Sequence, residues 1–196
     1  MFALCKSFNQ PVVIPDGVKN CESMFNRCCK FNQPIVIPDG VKNCSNMFNL
    51  CTMFNQTVII PDSVTDCSSM FEKCYHFNQP VKISNNAIEC FNMFENCRRF
   101  NQPIEIPDSV TDCSGMFECC YDFNQPVKLH DKLEYCAEMF KSCWSFTHIV
   151  DVPSGVKDCD DMFRDCPNHN NIPYGTSTIT NLLDRKSTRL NSSHGY

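Results

Sequence analysis

Met-Phe recurs at Met1, Met24, Met47, Met70, Met93, Met116, Met139 and Met162, always 23 residues apart. No insertion or deletion disturbs the phase. The unit reads M-F-x-x-C-x-x-F-N-Q-P-V-x-I-P-D-x-V-x-x-C-x-x, with seven full copies over 1–161 and an eighth that begins at Met162 and fades after Cys166. So strict a period leaves one class of answer, a repeat solenoid in which each rung packs on its neighbours. The expected organisation is a solenoid over 1–166, a degenerate last rung or flank over 167–183, and a foreign tail over 184–196.

The composition follows from the unit. The chain carries 17 cysteines, 16 phenylalanines and 9 methionines beside a single tryptophan. The cysteines fall in two columns, Cys5 to Cys166 and Cys21 to Cys159, with only Cys29 and Cys119 outside them. The net charge of −5 argues against a phosphate-backbone binder, whose affinity comes from clustered Lys and Arg. No apolar run is long enough to span a membrane.

Within a rung two periodicities alternate. Val12 and Ile14 are two apart, which is strand spacing, and Pro15 with Asp16 starts a turn. Cys21, Met24, Phe25 and Cys28 stand at i, i+3, i+4 and i+7, which predicts one face of a short helical turn. The expected rung is one short parallel β-strand plus a short helical turn, with strands stacked at ~4.8 Å. Asn9 to Asn124 and Gln10 to Gln125 form two polar columns. Their amides are expected to bond the backbone of neighbouring rungs at a tight corner.

I-P-D-x-V and M-F-x-x-C in register resemble the BspA-like leucine-rich repeats of bacterial surface proteins. The unit is especially similar to their Met-Phe/Phe-Asn-Gln subtype, with Phe, Val, Ile and Cys where leucine is usual. The resemblance covers 1–166. It implies surface display and adhesion, with a protein or surface glycan as partner.

Met1 shares the phase of the later repeat methionines, so the chain is expected to begin inside a rung, with N-terminal sequence and any signal peptide missing. An intracellular or virion location stays open. The run DRKSTRLNSSH over 184–194 matches the in-frame translation of a sequencing adapter, which makes 184–196 an expected assembly artefact. Without Arg185, Lys186, Arg189 and Asp184 the remainder is more acidic.

Three readings of the cysteines compete. The preferred one places both columns inward as small apolar fillers. Cross-rung disulfides are the second, although the count is odd. Metal binding is the third, but the C-x6-C and C-x15-C spacings are not those of structural zinc, and no metal or cofactor site is assigned.

Columns that vary between rungs are the exposed ones. The middle strand position reads Val13, Val36, Ile59, Lys82, Glu105, Lys128, Asp151. The preferred reading is that opposite charges there form favourable cross-strand pairs; the alternative is that the apolar half leaves a patch for a partner, or is covered by further N-terminal rungs or a flanking chain. The position after the M-F-x-x-C cysteine holds Tyr75, Arg98, Tyr121 and Trp144, residue types common as interface anchors. Intramolecular stacking is the preferred reading of that edge, with partner binding as its alternative. Asn43-Cys44-Ser45 and Asn55-Gln56-Thr57 match the glycosylation pattern weakly. No nucleophile–base set and no Gly-rich phosphate loop appear, so a non-enzymatic binding or adhesion module is expected. A structural spacer or virion fibre segment is one alternative, and a thiol- or metal-binding protein is the other.

Overall fold

The structure, a computed structural model, describes residues 1–167. Readings that fall on 168–196 lie outside the described residues. The 23-residue unit forms one rung throughout. Parallel β-bridges link Asn20 to Asn43, Asn43 to Asp66, Asp66 to Glu89 and so on to Asp158, one unit per step.

Each rung has a hydrogen-bonded side and an open side. On the first, N–H groups alternate between two jobs. Cys21, Ser23, Phe25 and Arg27 donate to Asn43, Ser45, Met47 and Asn49 of the next rung at 2.7–2.9 Å. Met24, Asn26 and Cys28 instead donate within the rung to Cys21, Ser23 and Phe25, closing successive β-turns. The expected helical turn is therefore replaced by a run of β-turns. The cause is backbone handedness: Ser23 and Arg27 have φ of 53° and 61°, and left-handed residues break a right-handed helix. A non-glycine residue there costs about 1–2 kcal/mol, offset by an inter-rung hydrogen bond of about 1 kcal/mol. Both columns repeat the sign, through Asn46, Ser69 and Asn92 and through Leu50, Lys73 and Asn96.

The open side is the segment Pro11–Pro15 and its copies. Side chains alternate as expected for an extended chain: Ile35 and Ile37 are each 4% exposed, and Val36 between them is 81% exposed. The expected parallel sheet does not form here. Among the described residues no backbone–backbone hydrogen bond involves Val12 to Ile14 or their copies. Prolines flank most of these segments, each fixing φ and lacking an N–H.

The rungs fan apart between these sides. Bridged backbones lie ~4.8 Å apart. Phe25 and Phe48, equivalent atoms one rung apart, have ring centroids 5.6 Å apart. At Phe77 and Phe100 the distance is 6.0 Å. The bridge column is thus the inner curve, and the extended segments lie on the outer one.

Between the two sides run two continuous phenylalanine stacks, Phe2 to Phe163 and Phe8 to Phe146. Members of one rung touch closely, as Phe94 and Phe100 do at 4.3 Å. Near-parallel rings at these distances are offset stacks, each pair worth about 0.5–1.5 kcal/mol beyond area burial. Met, the cysteine columns from Cys21 onward and the inward Val, Ile and Leu side chains fill the remaining core. At the corner the polar columns do what their spacing predicts: Asn78 Oδ1 accepts from Asn101 N at 2.9 Å and from Gln102 Nε2 at 3.1 Å.

Candidate functional site

Two surface columns hold the residues singled out by sequence. Tyr75, Arg98, Tyr121 and Trp144 form one stack. The Arg98 guanidinium lies 4.5 Å from the Tyr75 ring centre and 5.6 Å from that of Tyr121. Tyr121 and Trp144 stack at 4.1 Å and 4°. The intramolecular stacking reading accounts for these contacts, and Trp144 is still 58% exposed.

The second column stands on the extended segments. Val13, Val36 and Ile59 are 89%, 81% and 80% exposed. Lys82, Glu105, Lys128 and Asp151 continue it, all exposed. The predicted charge pairing does not occur: among the described residues no ion pair joins these four. Exposed lysine and carboxylate tips gain little from pairing in water and lose rotamer freedom by it. Lys82 instead faces Asp62, whose carboxyl is held below its usual range, chiefly by the Asn85 N–H.

A groove of about 870 Å³ opens among the extended segments at 81–83, 104–106 and 127–129. Its floor includes Val81, Ile104 and Val127, and its rim carries Lys82, Glu105 and Lys128. His130 lines one end, and both its ring nitrogens are buried without a hydrogen-bond partner. Sequence reasoning passed over His130. The available signal was its column, which reads Pro15, Pro38, Pro61, Ser84, Pro107, His130, Pro153. Ser84, the other departure, is satisfied by donating to the Val64 carbonyl at 2.7 Å.

The column cysteines are buried as expected from Cys21 onward, and one column does more than fill space. Cys51, Cys74, Cys97, Cys120 and Cys143 each donate Sγ–H to the phenylalanine carbonyl of the preceding rung at 3.0–3.1 Å. Burial pushes these thiols up, and that of Cys166 to about 11. A thiol held protonated at neutral pH is a poor nucleophile and a poor metal ligand. Among the described residues no group of three or more His, Cys, Asp or Glu is placed to hold a metal ion.

Carboxylates stack beside the turns. Lys73 pairs with Glu72 and, at 3.5 Å, with Glu95, while Lys141 bridges Glu118 and Glu138 at 2.9 and 2.8 Å. Burial, then Glu72, raises the Glu95 carboxyl above its ordinary value. In both glycosylation candidates the amide oxygen is a structural acceptor: Asn43 Oδ1 accepts from Ser45, and Asn55 Oδ1 from Asn78 and Gln79.

The sequence matches a family described as Mycoplasma protein of unknown function, DUF285, over residues 1–60, 37–108 and 88–176. No curated protein matches the chain. Among solved structures, the leucine-rich repeat protein of T. pallidum has a TM-score of 0.53 at 17% identity, covering 78% of this chain and 81% of that one. A leucine-rich repeat protein from Bacteroides ovatus has 0.48 at 19%, covering 76% and 46%. A leucine-rich cell surface protein from Faecalibacterium prausnitzii has 0.49 at 17%, covering 82% and 48%. The chain spans under half the length of these last two. The first likeness establishes a leucine-rich-repeat-like solenoid.

Proposed function

The chain belongs to the DUF285 family, and within that repeat family we propose that it acts as a non-enzymatic protein-binding and adhesion module. The observation that carries this reading is the column Val13, Val36, Ile59, three large apolar side chains at least 80% exposed at successive rungs. Scattered apolar residues on a surface are ordinary, whereas an aligned, uncovered row marks a contact surface. The Tyr75–Arg98–Tyr121–Trp144 stack supports it as a second edge, because rigid aromatic residues and Arg anchor contacts at low entropic cost. Recognition would sum modest contacts over several rungs. Surface display enters through the resemblance of the repeat to those of bacterial surface proteins.

Beads coated with the chain test the proposal on cultured animal cell monolayers. Saturable attachment that falls with the double substitution Val36→Lys and Ile59→Lys supports it. Attachment no greater than that of uncoated beads contradicts it and favours a spacer or fibre segment.

A further inference from the structure

We propose that the outer face over 81–151 is a docking strip for an extended segment of a partner protein with alternating acidic and basic residues. This rests on the binding-module reading and specifies its partner.

Four observations converge on it. Rung spacing comes first. Side chains on one face of an extended chain recur every ~6.6 Å. Equivalent rings beneath this face repeat at 6.0 and 6.1 Å, and the face itself lies further out on the fan. A strand laid along the solenoid axis therefore sets every second residue over one rung, with a slip of about 2 Å across the four charged rungs. Lysine side chains absorb that slip by rotamer change.

Charge comes second. Lys82, Glu105, Lys128 and Asp151 present alternating signs, and no ion pair among the described residues joins them to one another. A segment reading acid-x-base-x-acid-x-base meets each one.

Backbone polarity is the third. The extended segments at 81–83, 104–106 and 127–129 make no backbone–backbone hydrogen bond among the described residues. Their N–H and C=O groups are therefore not engaged by a neighbouring rung's backbone. The groove is the fourth. Its apolar floor, with Val81, Ile104 and Val127, receives the ligand's methylene stems.

The test uses fluorescein-labelled synthetic peptides and anisotropy at low salt. The peptide TETKTETKT is expected to bind saturably, weakening as salt rises. The composition-matched peptide TEETTKKTT is expected to bind at least about tenfold more weakly, because its charges fall out of register. The double substitution Lys82→Glu and Lys128→Glu makes the column wholly acidic. It should lose TETKTETKT and gain preference for TKTKTKT, and the gain shows that the variant is folded. Equal binding of both composition-matched peptides, or no saturable binding, overturns the proposal. So does a dimer in sedimentation that the double substitution dissolves, which would assign the strip to a second copy of the chain. If coated beads adhere while TETKTETKT fails to bind, this proposal falls and the binding-module reading stands.

Discussion

The backbone N–H of Asn101 donates to the side-chain oxygen of Asn78 at 2.9 Å, one rung back, and the same oxygen takes Gln102 Nε2 at 3.1 Å. One acceptor thus serves two donors at a corner where the backbone has turned away from its neighbour. Asn78→Ala strands both donors and should cost about 1–3 kcal/mol. Asn78→Asp, which keeps the acceptor, should cost less. Thermal unfolding of the two variants checks the order.

Phe94 touches Phe71, Phe117 and Phe100, with its closest centroid at 4.3 Å in its own rung. Phe94→Ala interrupts one stack and uncouples the other, for an expected loss of about 3–5 kcal/mol. Phe94→Leu keeps most of the volume and should lose less. Urea titration followed by circular dichroism measures both.

Thiol reactivity should divide the cysteines by place. Cys5 is exposed, and Cys29 and Cys119 are half-buried. The remaining cysteines are buried, and burial raises the pKa of most of them. Under reducing-agent-free native conditions, Ellman's reagent should react first at Cys5, Cys29 and Cys119, and with the others only on unfolding. Rapid reaction at Cys74 or Cys97 would show that the core thiols are not packed as described.

Glu95 carries an electrostatic penalty. Its folded-state pKa is raised above 4.5 by burial and by Glu72, so the folded chain binds this proton more tightly than the unfolded one. Folding is therefore favoured below that value, and the favour is lost as pH rises through the folded-state pKa. Glu95→Gln should raise the melting temperature at pH 7 and change it little at pH 4. A lower melting temperature at pH 7 would mean that the Lys73 contact outweighs desolvation.

The inward residues were legible because burial in a stacked rung follows the repeat column. Cys21, Met24, Phe25 and Cys28 are all buried, as their spacing requires. The spacing misled on conformation, since consecutive β-turns bring i, i+3, i+4 and i+7 inward as a helix does. The discriminating signal lay one column away. Ser23, Asn46, Ser69, Asn92 and Gly115 are residues that tolerate or favour left-handed and turn backbone, which a helix interior avoids. Val12 and Ile14 were placed correctly on one face, but the pairing lies at the Asn20 column and not at the extended segment. On the surface, Tyr75 over Arg98 was readable from the column alone. The orphaned nitrogens of His130 were not, because they depend on what packs around a position that proline usually fills.

Hydrogen exchange resolved by residue tests the one-sided rung most directly. Phe94 N–H donates to Met116 at 3.0 Å and Asn96 N–H to Glu118 at 2.7 Å, whereas the amides of Lys82, Ile83 and Glu105 bond no backbone carbonyl. Amides of the turn side should be protected by orders of magnitude over those of the extended segments in the isolated chain. Equal protection at Lys82 and Phe94 would mean a paired sheet on the outer face, and would contradict both the fanned solenoid and the open docking strip.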